Sequence, residues 1–407
     1  MKCGLLGRKL GHSYSPQIHA LLGNYSYQLF EKEPEEIGDF LKNGDFTGLN
    51  VTIPYKKEVI PFLDELSPAA ARLGAVNTIV RRDGKLIGHN TDYFGFRRLV
   101  QESGLQVAGK KVLVLGSGGA SSTAVAVLQE LGAKVIVISR SGENNYENLD
   151  RHADAAVIAN TTPVGMYPNT GKSALSLEGF PRLEGVLDAV YNPARTQILL
   201  DAEHRGLAAV NGLWMLVAQA KESAEWFTGE EIPDSRIAKI HHTLRLQMEN
   251  IILIGMPGCG KTAVGQQIAQ KLGKKFVDAD ESLEARVCRK ITDIIPNDGE
   301  AAFREMESET LAELGKQSGL VIATGGGCVT QPQNYPLLHQ NGTIFWLKRE
   351  LDKLPTDGRP LSQKGTLGQM YEARMPLYLR FADAAISNDG SIAETASAIC
   401  RKLEETT

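Results

Sequence analysis

Short runs rich in β-branched residues alternate with longer stretches of helical periodicity along the whole chain. Lys111-Val-Leu-Val-Leu115, Lys134-Val-Ile-Val-Ile138 and Asn250-Ile-Ile-Leu-Ile254 read as strands, and residues 263–272 read as a helix. This alternation predicts an α/β fold with parallel sheets. Two of the strands run directly into glycine clusters, Gly116-Ser-Gly-Gly-Ala-Ser121 and Gly255-Met-Pro-Gly-Cys-Gly-Lys-Thr262. A strand, a tight glycine turn and then a helix is how such sheets present a helix N-terminus to phosphate. The arrangement occurs twice, about 140 residues apart, which implies two nucleotide sites.

The 407 residues exceed one ordinary core, so more than one folding unit is expected. Residues 237–247 contain neither glycine nor proline, and a helix is expected there to run almost directly into a second domain. A formal net charge of −4 gives no general attraction to polyanions, so a nucleic-acid partner is not expected. No apolar run is long enough to span a bilayer, and the first residues lack the pattern of a secretory signal. Cys3, Cys259, Cys288, Cys328 and Cys400 are scattered and form no C-x-x-C pair. Neither a disulfide framework nor a zinc site is expected, and a reducing cytoplasm is the expected setting.

Each glycine cluster brings candidate chemistry. In the first, Gly116-x-Gly118 supplies the turn and the close backbone approach, and Ser121 stands where a third small residue often sits. A site for NAD places an acidic residue at the end of the next strand to hold the ribose hydroxyls. Here that strand ends Ser139-Arg140-Ser141, and Arg140 is suited to a 2′-phosphate, which favours NADP. The bland reading makes Arg140 a solvated surface residue. The second cluster is a complete Walker A loop. Its backbone N–H groups, from Gly255, Gly258 and Gly260 onward, are suited to cradle phosphates. Lys261 reaches the β- and γ-oxygens, and the Thr262 hydroxyl ligates Mg²⁺.

Three further stretches carry polar residues unsuited to a plain core. In His12-Ser-Tyr-Ser-Pro16 two hydroxyls share one side of an extended chain, although Ser-x-Ser-Pro is also a common helix cap. Asn50-Val-Thr-Ile-Pro-Tyr-Lys56 alternates apolar and polar residues and then delivers a lysine. Gly88-His-Asn-Thr-Asp92 ends a strand with an aspartate.

Together these stretches strongly resemble the shikimate dehydrogenase family. The resemblance rests on residues 7–16, 50–56, Gly-Ala-Val-Asn-Thr at 74–78 and 88–92. It continues through Asn-Thr-Thr-Pro-Val-Gly-Met at 160–166, Asp-Ala-Val-Tyr-Asn-Pro at 188–193 and Gly-Leu-Trp-Met-Leu-Val-Ala-Gln-Ala at 212–220. It implies that Ser13, Ser15 and Tyr191 hold the substrate carboxylate, that Thr52, Asn77 and Gln219 bind ring hydroxyls, and that Lys56 and Asp92 form the catalytic pair. Gly116, Gly118, Gly119, Ala120, Ser139, Arg140 and Gly212 would line the NADP(H) site. Two features depart from the family pattern: no second basic residue follows Arg140 closely, and Trp214 stands where a small residue is usual.

From about residue 250 the chain resembles shikimate kinases, through Phe-Val-Asp-Ala-Asp at 276–280, Gly-Glu-Ala-Ala-Phe-Arg-Glu-Met-Glu at 299–307 and Thr-Gly-Gly-Gly at 324–327. Arg-Pro-Leu at 359–361 and Arg-Met-Pro-Leu-Tyr-Leu-Arg-Phe-Ala-Asp at 374–383 complete the set. By this resemblance Asp278 supports Mg²⁺ and Asp280 accepts the proton of the attacking hydroxyl. Arg304 and Arg374 bind the substrate carboxylate, backed by Gly325, Gly326 and Gly327, and Arg359 on a lid steadies the transferring phosphoryl group. The lid segment 347–359 is shorter than the family's usual one, so looser or less selective ATP binding is expected.

The expected architecture follows. Residues 1–95 and 213–245 form an α/β substrate domain, 96–212 a Rossmann NADP domain, and 248–407 a P-loop kinase domain with a parallel sheet. The expected reactions are NADPH-dependent reduction of 3-dehydroshikimate to shikimate and MgATP-dependent phosphorylation of shikimate. These small molecules are the expected partners; no membrane partner is expected. Two alternatives accompany this reading. The front half could prefer quinate or NAD, or the back half could be a non-catalytic shikimate- or nucleotide-binding regulatory module. Lys261, Asp280 and Arg359 argue against the second.

Overall fold

The computed structural model describes residues 1–11, 13–354 and 364–405. The chain divides into two compact units. One comprises Met1–Val164, Lys172–Tyr191 and Ile198–Thr243; the other comprises Gly165–Gly171, Asn192–Gln197 and Leu244–Thr407.

Among the described residues the first unit holds two sheets. Its first sheet contains β1 (Lys2–Gly7), β2 (Ser26–Glu31), β3 (Gly48–Val51), β4 (Glu65–Leu66), β5 (Thr78–Arg82) and β6 (Lys85–His89), in the order β2-β1-β3-β5-β6-β4. It is mixed, because β5 runs antiparallel to both β3 and β6. The expectation of parallel sheets fails here for a local reason. Asp83 and Gly84 both take positive φ, 51° and 78°, the turn that closes a two-residue hairpin with the twist of its strands. The second sheet contains β7 (Lys111–Leu115), β8 (Lys134–Ile138), β9 (Val157–Asn160), β10 (Gly185–Asp188) and β11 (Ala208–Val210). Its order is β11-β10-β9-β7-β8 and every pairing is parallel. Strands buried on both faces read as continuous apolar runs, and Val112–Leu115 are fully buried.

In the second unit β12 (Asn250–Ile254), β13 (Lys275–Asp278), β14 (Leu320–Ala323), β15 (Gly342–Lys348) and β16 (Ala384–Ser387) form a parallel sheet in the order β13-β14-β12-β15-β16. Central β12 is wholly buried, and its cluster joins the helix Lys261–Leu272 to the sheet through Val264 and Ile268. Residues 235–248 form a helix, and β12 begins two residues later. No helix among the described residues is long and apolar enough to cross a membrane.

Candidate active sites

The first unit contains a cavity of about 240 Å³. Ser13, Ser15, Thr52, Asn77, Tyr191 and Gln219 line it, as do Lys56 and Asp92. Thus the structure brings together every candidate substrate-binding and catalytic residue of the front half, drawn from segments far apart in sequence. Local geometry differs from the extended reading at two of them. Pro16 occupies the first turn of the helix Ser15–Leu22, where its fixed φ is favourable. Ser13 therefore sits in the preceding turn, its Oγ accepting from the Ser15 N–H at 3.2 Å. Likewise the alternating stretch 50–56 is a strand only as far as Val51, and Tyr55 N–H closes a turn on the Thr52 carbonyl at 2.9 Å. Asp92 is the first residue of the helix Asp92–Glu102 rather than a strand end.

Lys56 Nζ lies 2.5 Å from Asp92 Oδ2, both side chains being mostly shielded from solvent. The helix N-terminus favours a carboxylate at Asp92. A buried polar network holds this region. Asn77 Oδ1 accepts from the Thr91 N–H at 2.7 Å, and Asn50 Nδ2 donates to Ser223 Oγ at 2.8 Å and to Thr78 Oγ1 at 3.2 Å. Tyr27 donates to Asn50 Oδ1 at 2.7 Å, and Ser223 donates to the Gln219 carbonyl at 2.9 Å. Buried polar groups are retained where their partners are complete. Tyr191 meets Tyr14 edge to face, ring centres 6.1 Å apart. Trp214 does not line the cavity. It stacks on His241 with centres 3.7 Å apart and packs into the core beside β7, which accounts for the large residue there.

At the end of β7, Gly116 takes φ +110°, and Ser121 Oγ returns to the Gly116 carbonyl at 2.7 Å to close the loop. Gly118 and Gly119 are exposed at the start of the helix Gly119–Glu130, with Ala120 beside them; a Cβ on either glycine would meet nothing within 4 Å. Ser139 and Arg140 follow the neighbouring strand β8, where the Ser139 N–H bonds the Asn144 carbonyl at 3.1 Å. Arg140 is exposed and pairs with no acidic side chain among the described residues. Gly212 begins the turn into the helix Leu213–Thr228, and a Cβ there would strike the Ala189 carbonyl oxygen at 2.1 Å.

In the second unit, Gly255, Gly258 and Gly260 take φ of +144°, +80° and +98° between β12 and the helix Lys261–Leu272, conformations open chiefly to glycine. Lys261 is buried and donates to the Gly255 and Met256 carbonyls at 3.0 and 3.1 Å. Thr262 Oγ1 donates to Asp278 Oδ2 at 3.1 Å, while Asp278 Oδ1 accepts from the Asp280 N–H at 3.0 Å and caps the helix Ala279–Val287. Burial raises the Asp280 pKa, with the charge of Asp278 adding to it.

Arg304 is buried and bonds Glu307 at 2.8 Å and Glu300 at 3.1 Å. The glycine loop presses against this group. A Cβ on Gly325 would stand 2.7 Å from Glu307 Oε1 and 2.9 Å from Asp280 Oδ1, and one on Gly326 would stand 2.7 Å from Pro257. Arg374 and Tyr378 both donate to the Gly326 carbonyl, at 3.2 and 2.6 Å. Arg359 and the lid lie outside the described residues.

Two family models match the chain. The model of the shikimate dehydrogenase substrate binding domain matches residues 5–79, and that of shikimate kinase matches 257–404. The NADP(+) shikimate dehydrogenase of Clostridium perfringens (strain SM101) is 37% identical over 264 residues, covering 60% of this chain and 97% of that protein. The chain belongs to the shikimate dehydrogenase family. Joined to it is a shikimate kinase domain, so the protein is a dehydrogenase–kinase fusion, an enzyme of the shikimate pathway with both activities.

Solved structures agree. Shikimate dehydrogenase 1 of Peptoclostridium difficile is 38% identical with a TM-score of 0.55, covering 60% of this chain and 98% of that one. The shikimate 5-dehydrogenase of Thermus thermophilus, in complex with NADP(H) and shikimate, is 30% identical with a TM-score of 0.54, covering 60% of this chain and 99% of that one. Sequence reasoning missed Glu307, Tyr378, Thr91 and Ser223. Ser223 had a signal, since it lies one helical turn beyond Gln219.

Proposed function

We propose that the first site reduces 3-dehydroshikimate to shikimate with NADPH, and that the second transfers a phosphoryl group from MgATP to the hydroxyl just formed. The reading rests chiefly on the Lys56–Asp92 pair, 2.5 Å apart, in a cavity rich in hydroxyl and amide groups. NADPH, when bound, supplies the hydride to the carbonyl carbon. Lys56 then gives its proton to the developing alkoxide and stabilises the charge as it forms, help of the kind that contributes about 10²–10⁴-fold. Asp92 orients the ammonium. Ser13, Ser15 and Tyr191 offer donors to the carboxylate; Thr52, Asn77 and Gln219 take the ring hydroxyls. Arg140 offers its exposed guanidinium to the 2′-phosphate, and Gly116, Gly118 and Gly119 leave the backbone open to the pyrophosphate.

In the second site, Thr262 and Asp278 supply a pair of hard oxygen donors that suits Mg²⁺, an ion that keeps several of its own waters. Mg²⁺, when bound, neutralises charge on the phosphates. Asp280 takes the proton of the attacking hydroxyl, and Arg304 and Arg374 anchor the carboxylate. Lys261 leaves its loop carbonyls for the phosphate oxygens, so that positioning and charge carry the reaction.

Mass spectrometry of the products from 3-dehydroshikimate, NADPH and MgATP tests both steps in one tube. Shikimate phosphate is expected. Shikimate alone would reduce the back half to a binding module, and unchanged substrate would sink the whole reading.

A further inference from the structure

A second cavity, of about 370 Å³, is lined by Thr91 and residues next to it in sequence, His89, Asn90, Tyr93 and Phe94. Pro68, Ala69, Tyr93, Phe94 and Trp226 give it apolar and aromatic walls, and His89, Asn90 and Glu222 are among its polar lining. We propose that this cavity is a regulatory site for a small molecule in which an aromatic ring carries an alkylammonium side chain.

The polar lining argues for the amino group. His89 and Asn90 are 4% and 6% exposed, yet neither ring nitrogen of His89 nor the Oδ1 of Asn90 has a hydrogen-bond partner among the described residues. Native structures rarely leave buried polar atoms unpaired without a reason. Burial and the charge of Arg82 hold the His89 pKa down at about 4, so its neutral ring offers an acceptor. Asn90 Oδ1 and the Glu222 carboxylate are acceptors too. Burial above all, then repulsion from Glu225, raises the Glu222 pKa, against the opposing charge of Lys221 and a hydrogen bond with Trp226. Arg97 is also on the lining, but it is engaged with Glu130 at 3.0 Å; of the cations nearby, Lys221 pairs with Glu225 at 2.8 Å and Arg82 donates to the Trp226 carbonyl at 2.8 Å. A space with aromatic walls, unpaired acceptors and cations that are already paired favours an ammonium tethered to a ring over a carboxylate.

Thr91 couples the two cavities. It lines the second, its N–H is held by Asn77 Oδ1 at 2.7 Å, and Asn77 and Asp92 line the first. An occupant that fixes Thr91 therefore acts on the start of the helix that carries Asp92. This coupling rests on the dehydrogenase function proposed above; binding does not.

Calorimetric titration of the full chain with phenethylamine and with phenylacetate tests the site. Saturable one-site binding of the amine is expected, at least about tenfold tighter than that of the acid and weakened about tenfold or more by Glu222→Gln. Ala69→Phe, which fills the space, should also abolish it, while unchanged thermal midpoints show that both variants fold. Absent amine binding, equal binding of both probes, or full affinity in both variants would overturn the proposal. Saturation with the amine should also change dehydrogenase kcat/KM in the wild type and not in Ala69→Phe. An unchanged wild-type rate despite binding would refute the regulatory role.

Discussion

A Cβ on Gly327 would stand 2.2 Å from the Arg304 guanidinium, so loop and arginine leave no room between them. Arg304 cannot easily yield, because Glu307 and Glu300 grip it at 2.8 and 3.1 Å. Gly327→Ala is therefore expected to break the fit between loop and guanidinium and raise the kinase KM for shikimate about tenfold or more, with dehydrogenase turnover unchanged. Separate assays of the two half-reactions check this. A normal shikimate KM would show that the loop is no wall of the substrate site.

Lys56→Met removes the proposed proton donor and leaves the cavity's hydroxyls in place. Dehydrogenase kcat should fall about 10²–10⁴-fold, while the NADPH dissociation constant, read by fluorescence, stays the same. Retention of more than about a tenth of the activity would place the donor elsewhere.

The parallel sheets were legible because their strands are short apolar runs, and in β7, β8 and β12 a polar residue opens the run. The hairpin β5–β6 was not read, although Asp83-Gly84 between β-forming residues carried its signal. Candidate site residues were legible through motifs, since each keeps its chemistry wherever the chain places it. Their supports were not. Asn50 meets Ser223 across 173 residues, and Glu307 matters only because Arg304 and Gly325 close around it. Such roles arise from tertiary contact, and no local spacing encodes them.

Arg140 stands exposed beyond β8 with no acidic partner among the described residues, and no second basic residue follows closely. Recognition of a 2′-phosphate would then depend on a single guanidinium. Arg140→Ala should raise the KM for NADPH about tenfold, the low end for a charge-assisted contact at a solvated position. The KM for NADH should not change. Equal effects on both cofactors would make Arg140 a general contributor to the fold of the loop rather than a reader of the phosphate.

Asp280 joins function to stability through its raised pKa, which burial causes and the Asp278 charge reinforces. A carboxyl raised in the folded state contributes stability that is present below its ordinary value and lost as pH rises through the folded one. At about pH 8 the wild type therefore holds a disfavoured charge that Asp280→Asn lacks. The variant should show the higher thermal midpoint there, and the gap should close as pH falls below the ordinary aspartate range. In the proposed mechanism catalysis runs the other way, because only the ionised form can accept the hydroxyl proton. Kinase kcat/KM, which reports the free enzyme, should rise with pH through an inflection above the usual aspartate value, and Asp280→Asn should abolish turnover. An inflection in the ordinary range, or a less stable variant at the higher pH, would mean that Asp280 is adequately solvated or paired and that its burial does not tune it.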